Sequence, residues 1–134
     1  GTAFGITIGS FASVSLDPPL VGFFPGVRSQ SWAAIRESGR FCVNVLGSHQ
    51  EEACWRFAKE GDDKFAGVEW IPSEGGSPVL PGSIAWIDCE IDSETVMGDH
   101  TCVVGRVTSL DHAEEVENAM VFFRGKVSSV KHGG

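Results

Sequence analysis

The chain has 134 residues, with 10 Lys and Arg against 18 Asp and Glu, a net charge of −8, and 42% hydrophobic side chains. This length fits one domain with its own core, spanning residues 1–134, and the negative balance repels phosphate backbones, so nucleic acid is not an expected partner. No apolar run approaches the roughly 20 residues of a membrane-spanning helix, and the first residues lack the basic start and apolar block of a secretory leader.

Glycine and proline punctuate short β-rich runs, without repeats or low-complexity tracts. Residues 6–11 and 20–24 read as strands, separated by Asp17-Pro18-Pro19. Proline cannot donate to a sheet ladder and pushes its predecessor to extended geometry, so Ser10 to Pro19 reads as an exposed strand end entering a turn. Ser31 is a good N-cap for a helix over 32–38, with Gly39 as its stop. Residues 41–46 form a mostly apolar strand, expected to be covered on both faces. A second helix spans about 49–60, with Ala53, Cys54, Phe57 and Ala58 as its apolar stripe. The longest strand covers 83–96, with Ala85, Ile87, Cys89 and Ile91 on one face and Asp88, Glu90 and Asp92 on the other. Residues 101–107 and 120–123 complete the set. Strands that do not alternate with crossover helices argue a β-barrel with peripheral helices, and no Gly-rich dinucleotide or Walker loop follows a strand.

Cys42, Cys54, Cys89 and Cys102 allow three disulfide pairings, but each sits among apolar neighbours and no C-x-x-C pair suggests zinc. Buried, inert free thiols in a reducing cytoplasm are the better reading, and no metal is expected. Trp32, Trp55 and Trp86 are spaced like core residues.

Three segments carry the candidate chemistry. Ser10, Phe11, Ala12, Ser13, Val14 and Ser15 put small and hydroxyl side chains where a ligand can approach the backbone, although for serines in general a plain strand is the better explanation. In Gly26-Val27-Arg28-Ser29-Gln30-Ser31, a local charge and hydroxyls before a helix start suit a phosphate; a cap plus a solvated arginine accounts for the same residues. Gly98-Asp99-His100 is a turn between long strands, where an isolated histidine would be read as merely exposed.

These three motifs, in this order, resemble the flavin reductase-like family over about residues 5–125. The resemblance implies a mainly β fold, the FMN-binding split β-barrel, Greek-key-like with about two short peripheral helices. It implies an NAD(P)H:flavin oxidoreductase that passes hydride from NADH or NADPH to FMN or FAD and supplies reduced flavin to a separate oxygenase. It further implies a cytoplasmic homodimer whose pockets draw on both chains, with apolar Leu20, Phe23 and Phe24 serving either that interface or the core. The family has an antiparallel strand before residues 6–11, so one strand and turn of the natural N-terminus are expected to be absent from this chain.

By resemblance, Ser10 to Ser15 lie against the flavin ring and ribityl chain, and Arg28, Ser29, Gln30 and Ser31 bind the phosphate. His100 stands where nicotinamide docks, as an orienting residue and not a nucleophile. Asn44 is included among the flavin contacts, although a structural hydrogen bond fits its apolar strand better. Asp63-Lys64-Phe65 matches the family at the pocket rim, with Phe65 as a contact, and Phe123-Arg124-Gly125-Lys126 borders the nicotinamide site, with Arg124 as a contact. The rival readings are a flavin carrier without turnover, and another split-barrel flavin, deazaflavin or pyridoxine phosphate oxidase-like protein. The intact Gly98-Asp99-His100 speaks against the first, and Ser10 to Pro19 fits flavin reductases better than the second.

Overall fold

Two long strands organise the chain. β6 (Ala85–Met97) and β7 (His100–His112) are antiparallel and joined by the two-residue turn Gly98-Asp99. Gly98 takes φ +67°, which a primed hairpin turn requires and glycine supplies without strain. This computed structural model describes residues 3–59, 61, 63–114, 119–123 and 126–130. The hairpin is the middle of a sheet ordered β1-β2-β7-β6-β3, where β1 is Phe11–Leu16, β2 Pro19–Phe23 and β3 Arg40–Val45. β3, β6 and β7 run as neighbours while β2 returns beside β7, a Greek-key arrangement. Two small hairpins pair β4 (Ile71–Pro72) with β5 (Pro78–Val79) and β8 (Ala119–Phe123) with β9 (Lys126–Val130).

Two short helices lie outside this sheet, α1 (Gln30–Arg36) and α2 (Glu51–Ala58), the latter entered through a 3-10 turn over Ser48–Gln50. The fold is thus mainly β and antiparallel with two short helices, as the residue pattern requires.

One cluster forms the core: Val21, Phe23, Trp32, Phe41, Cys89 and Val103 are buried together. Phe23 meets Trp32 and Phe41 edge-on, with ring centroids 5.3 and 5.2 Å apart, the geometry favoured by the ring quadrupoles. Trp32 thereby anchors α1 to the sheet. Its Nε1 donates to Glu94 Oε1 at 2.9 Å, and Arg36 Nη2 donates to the other oxygen of Glu94 at 3.0 Å.

Several local expectations are corrected. Residues 6–10 are not a strand; Thr7 instead donates through its N–H to Phe57 O and through its hydroxyl to Cys54 O, so this segment straps α2. The first strand runs Phe11–Leu16, and its register slips between Ser13 and Ser15, leaving Val14 as a bulge residue opposite no partner. The cap of α1 is Ser29, whose side chain accepts from the Trp32 N–H. Trp55 and Ala58 are exposed, because α2 buries Phe57 and turns Arg56 to the carbonyls of Lys64 and Ala66. Strand β3 is only partly buried apart from Phe41.

Phe23 belongs to the core, whereas Phe24 is 42% exposed. Asp88, placed by alternation on the face opposite Cys89, is buried as Cys89 is, and its carboxylate accepts from the Ser73 hydroxyl and the Gly75 N–H, pinning the turn between β4 and β5. The reason is one of satisfaction: a buried carboxylate is tolerated where donors converge on it.

Gly105 on β7 tests the packing. A Cβ there would stand 2.5 Å from Phe41 Cζ and 3.1 Å from Cys89 Cβ. Gly105→Ala is expected to destabilise the fold by about 1–3 kcal/mol through overpacking, read as a lower denaturant midpoint with an unchanged slope.

Candidate active site

The sheet brings the three candidate segments to one end. Phe11 pairs with Phe23, and Phe23 with Val103, so the start of β1, the exit of β2 and the start of β7 lie side by side. Beyond β2 the chain closes onto the hairpin tip. Thr101 N–H donates to Pro25 O at 2.9 Å and Val27 N–H to Asp99 O at 2.9 Å, with Gly26 bridged to His100. Arg28 and His100, far apart in sequence, therefore occupy neighbouring loops held by backbone hydrogen bonds.

His100 is exposed, and its Nδ1 lies 2.7 Å from Asp99 Oδ1. The hydrogen bond and charge of His100 hold the Asp99 carboxyl below its ordinary value. With Nδ1–H donating to that carboxylate, Nε2 is the ring nitrogen that Asp99 does not engage. Arg28 is exposed on the adjoining loop. Ser29 spends its oxygen on the helix cap, and Gln30 is exposed on the first residue of α1.

Ser31 is buried, with its Oγ accepting from Lys64 Nζ at 2.8 Å. The Lys64 contact is the feature that sequence reasoning assigned only to the rim. The Asp63-Lys64-Phe65 motif was its signal, but not its destination.

Ser10, Phe11, Ala12, Ser13 and Val14 are exposed and Ser15 is half-buried. β1 stands at the edge of the sheet, so among the described residues its outer side carries no neighbouring strand. An open edge of small and hydroxyl residues, next to a cationic loop, fits a flat ligand with a phosphate tail: the edge N–H groups can serve its ring and the loop its anion.

Two predicted contacts stand elsewhere. Asn44 donates to Pro78 O and accepts from the Leu80 N–H and the Ser83 hydroxyl, so its amide is occupied in holding residues 78–83. Phe65 packs between Phe57 and Trp70, with ring centroids 4.7 and 6.1 Å away. Arg124 lies outside the described residues. Among the described residues no group of three or more His, Cys, Asp or Glu side chains is placed to hold a metal ion.

An antiparallel sheet with an open edge strand beside a cationic loop and a histidine-bearing hairpin tip is the arrangement expected of a flavin-binding split barrel. A family model, the flavin reductase-like domain, matches residues 1–131. The reductase subunit HsaB of a flavin-dependent monooxygenase from Rhodococcus jostii is 47% identical over 98% of this chain and 67% of its own length. Nitrilotriacetate monooxygenase component B from Mycobacterium thermoresistibile superposes with a TM-score of 0.90 at 44% identity, over 96% of this chain and 72% of that one. The Streptomyces globisporus NADH:FAD oxidoreductase SgcE6, solved with NAD and FAD fragments, gives 0.88 at 31% identity, over 98% and 83%. The chain belongs to the flavin reductase-like domain family and is a flavin oxidoreductase.

All four cysteines are free thiols. Burial, then the neighbouring Asp88 carboxylate, pushes Cys42 and Cys89 up from 9.0 to about 12, and burial with Glu51 raises Cys54. The folded state thus holds the Cys42 and Cys89 protons more tightly than the unfolded state. Their contribution to stability is fully present below about pH 9 and is lost as pH rises toward 12. Iodoacetamide at pH 8 is therefore expected to spare Cys42 and Cys89 in the native protein and to label them after denaturation, read by peptide mass spectrometry.

Proposed function

We propose that the protein, as a single domain over residues 1–134, takes hydride from NADH or NADPH onto FMN or FAD and releases the reduced flavin to a separate oxygenase. The relatives named as the reductase subunit of a monooxygenase and as an NADH:FAD oxidoreductase support this reading. The observation that carries it is the closure of loop 25–29 onto the tip bearing His100, at the end of the sheet where edge strand β1 begins. Bound flavin supplies the hydride acceptor, and the nicotinamide supplies the hydride.

The chain's own residues bind and orient. The backbone of Ser10 to Ser15 holds the ring and ribityl chain from the sheet edge. Arg28, Ser29, Gln30 and Ser31 hold the phosphate, which explains how a chain of net charge −8 keeps a dianion: the positive charge is local. His100, its Nδ1 engaged by Asp99, aligns the nicotinamide. Arg124 keeps its assignment to the nicotinamide side by resemblance alone. Asn44 and Phe65 shape the barrel and the α2 flank and are not contacts in this assignment.

The exposed apolar side chains of the edge strand, Val14 at 55% and Leu16 at 89%, favour a homodimer that covers them. Four free thiols favour the reducing cytoplasm, and among the described residues no helix is long and apolar enough to cross a membrane.

Absorbance of the FMN-loaded protein under anaerobic conditions tests the activity: bleaching of the bound flavin on adding NADH or NADPH supports it, and an unchanged spectrum with both leaves only a carrier. For the residue assignment, His100→Ala is expected to leave flavin affinity intact and lower kcat/KM for the nicotinamide by about 10–100-fold, the loss of about 1.4–2.8 kcal/mol of transition-state contact. Equal stopped-flow reduction rates for the two proteins would reduce His100 to a turn residue. Light scattering with flavin bound is expected to give the mass of two chains, and a mass of one chain removes the dimer.

A further inference from the structure

Lys64 sits where three separate pieces of the chain meet. Its ammonium donates to Ser31 Oγ at 2.8 Å, to Phe57 O at 3.0 Å and to Gly5 O at 3.1 Å. These acceptors belong to the first turn of α1, the last turn of α2 and the strap that leads into β1.

An ammonium has three donors and a hydroxyl one, so the geometry fixes more than position. Because Ser31 Oγ accepts from Lys64, its own proton points away from the ammonium and is available to donate. Ser31 is only 7% exposed, so this orientation is held by packing as well as by the hydrogen bond. A positive charge 2.8 Å behind the oxygen also polarises that hydroxyl, strengthening what it donates to an anion. A cavity of about 30 Å³ borders the pair, with Phe4, Gln30 and Asp63 in its wall, so the two groups meet at a small opening and not in solid core.

We propose that Lys64 is a positioning residue of the phosphate end of the flavin site, acting through Ser31, whose hydroxyl it orients and polarises. This rests on the assignment of Arg28, Ser29 and Ser31 to the flavin phosphate made above. The competing role is a plain staple that fastens the strap to α1 and α2.

Equilibrium binding of FMN and riboflavin, followed by flavin fluorescence, separates these roles, since riboflavin lacks the phosphate. Lys64→Met is expected to weaken FMN binding about tenfold, the worth of one charge-assisted hydrogen bond, and to leave riboflavin binding unchanged. Lys64→Arg, which keeps the charge, retains most of the preference for FMN. Ser31→Ala lowers FMN affinity selectively as well, and the double variant loses no more than Ser31→Ala alone, because Lys64 works through that hydroxyl. If Lys64→Met is too unstable to assay, Lys64→Gln removes the charge with an amide in its place, and the same selective loss is expected.

Equal weakening of FMN and riboflavin by the lysine variants, with Ser31→Ala still selective for FMN, makes Lys64 a staple and overturns the inference. If neither Ser31→Ala nor Arg28→Ala changes the FMN preference, the phosphate assignment itself fails, and the inference fails with it.

Discussion

Two backbone hydrogen bonds, Thr101 N–H to Pro25 O and Val27 N–H to Asp99 O, close the loop after β2 onto the tip of the β6–β7 hairpin. Without them, Arg28 would hang on a free loop and His100 on a free turn. With them, both are referenced to the same rigid pair of strands. The bonds need the turn to be tight, which Gly98 secures through its positive φ. They also need β2 and β7 to be neighbours, which the Greek-key order provides. Backbone bonds of this kind do not depend on the side chains they position, so the loop residues are free to be chosen for chemistry.

The helix next to that loop is fixed from two directions. On the sheet side, Trp32 enters the aromatic cluster and Glu94 on β6 receives both the Trp32 indole and the Arg36 guanidinium. On the outer side, Lys64 holds Ser31. Glu94 lies on the same strand that leads to Gly98 and Asp99, so α1 and the hairpin tip share an element. A farther set of contacts fixes the β4–β5 turn: Asp88 accepts from Ser73 and Gly75, while Arg40 reaches Gly75 O and pairs with Glu90, which also meets Arg106. This network accounts for polar residues in β3, β6 and β7.

Much of the fold was legible in the sequence because period and punctuation agreed: Pro18 and Pro19 end β1, Gly98-Asp99 makes the long hairpin, and Gly39 follows α1. What was not legible has physical causes. Residues 6–10 have strand-like composition, but Thr7 found its partners on α2, a long-range choice that propensity does not encode. The bulge at Val14 depends on register with β2. The burial of Asp88 depends on Ser73 and Gly75, brought to it from fifteen and thirteen residues away. At the site, motif order pointed to the three segments, whereas the convergence of their backbones and the Ser31–Lys64 contact emerged only from the tertiary arrangement.

The central claim is that Ser10 to Ser15, Arg28 to Ser31 and Asp99 to Thr101 form one flavin-binding surface. Amide chemical shifts of ¹⁵N-labelled protein titrated with FMN test it most directly. These three segments are expected to shift together, along a common saturation curve, with the β4–β5 turn unaffected. Shifts confined to the β4–β5 turn, with the three segments silent, would contradict it.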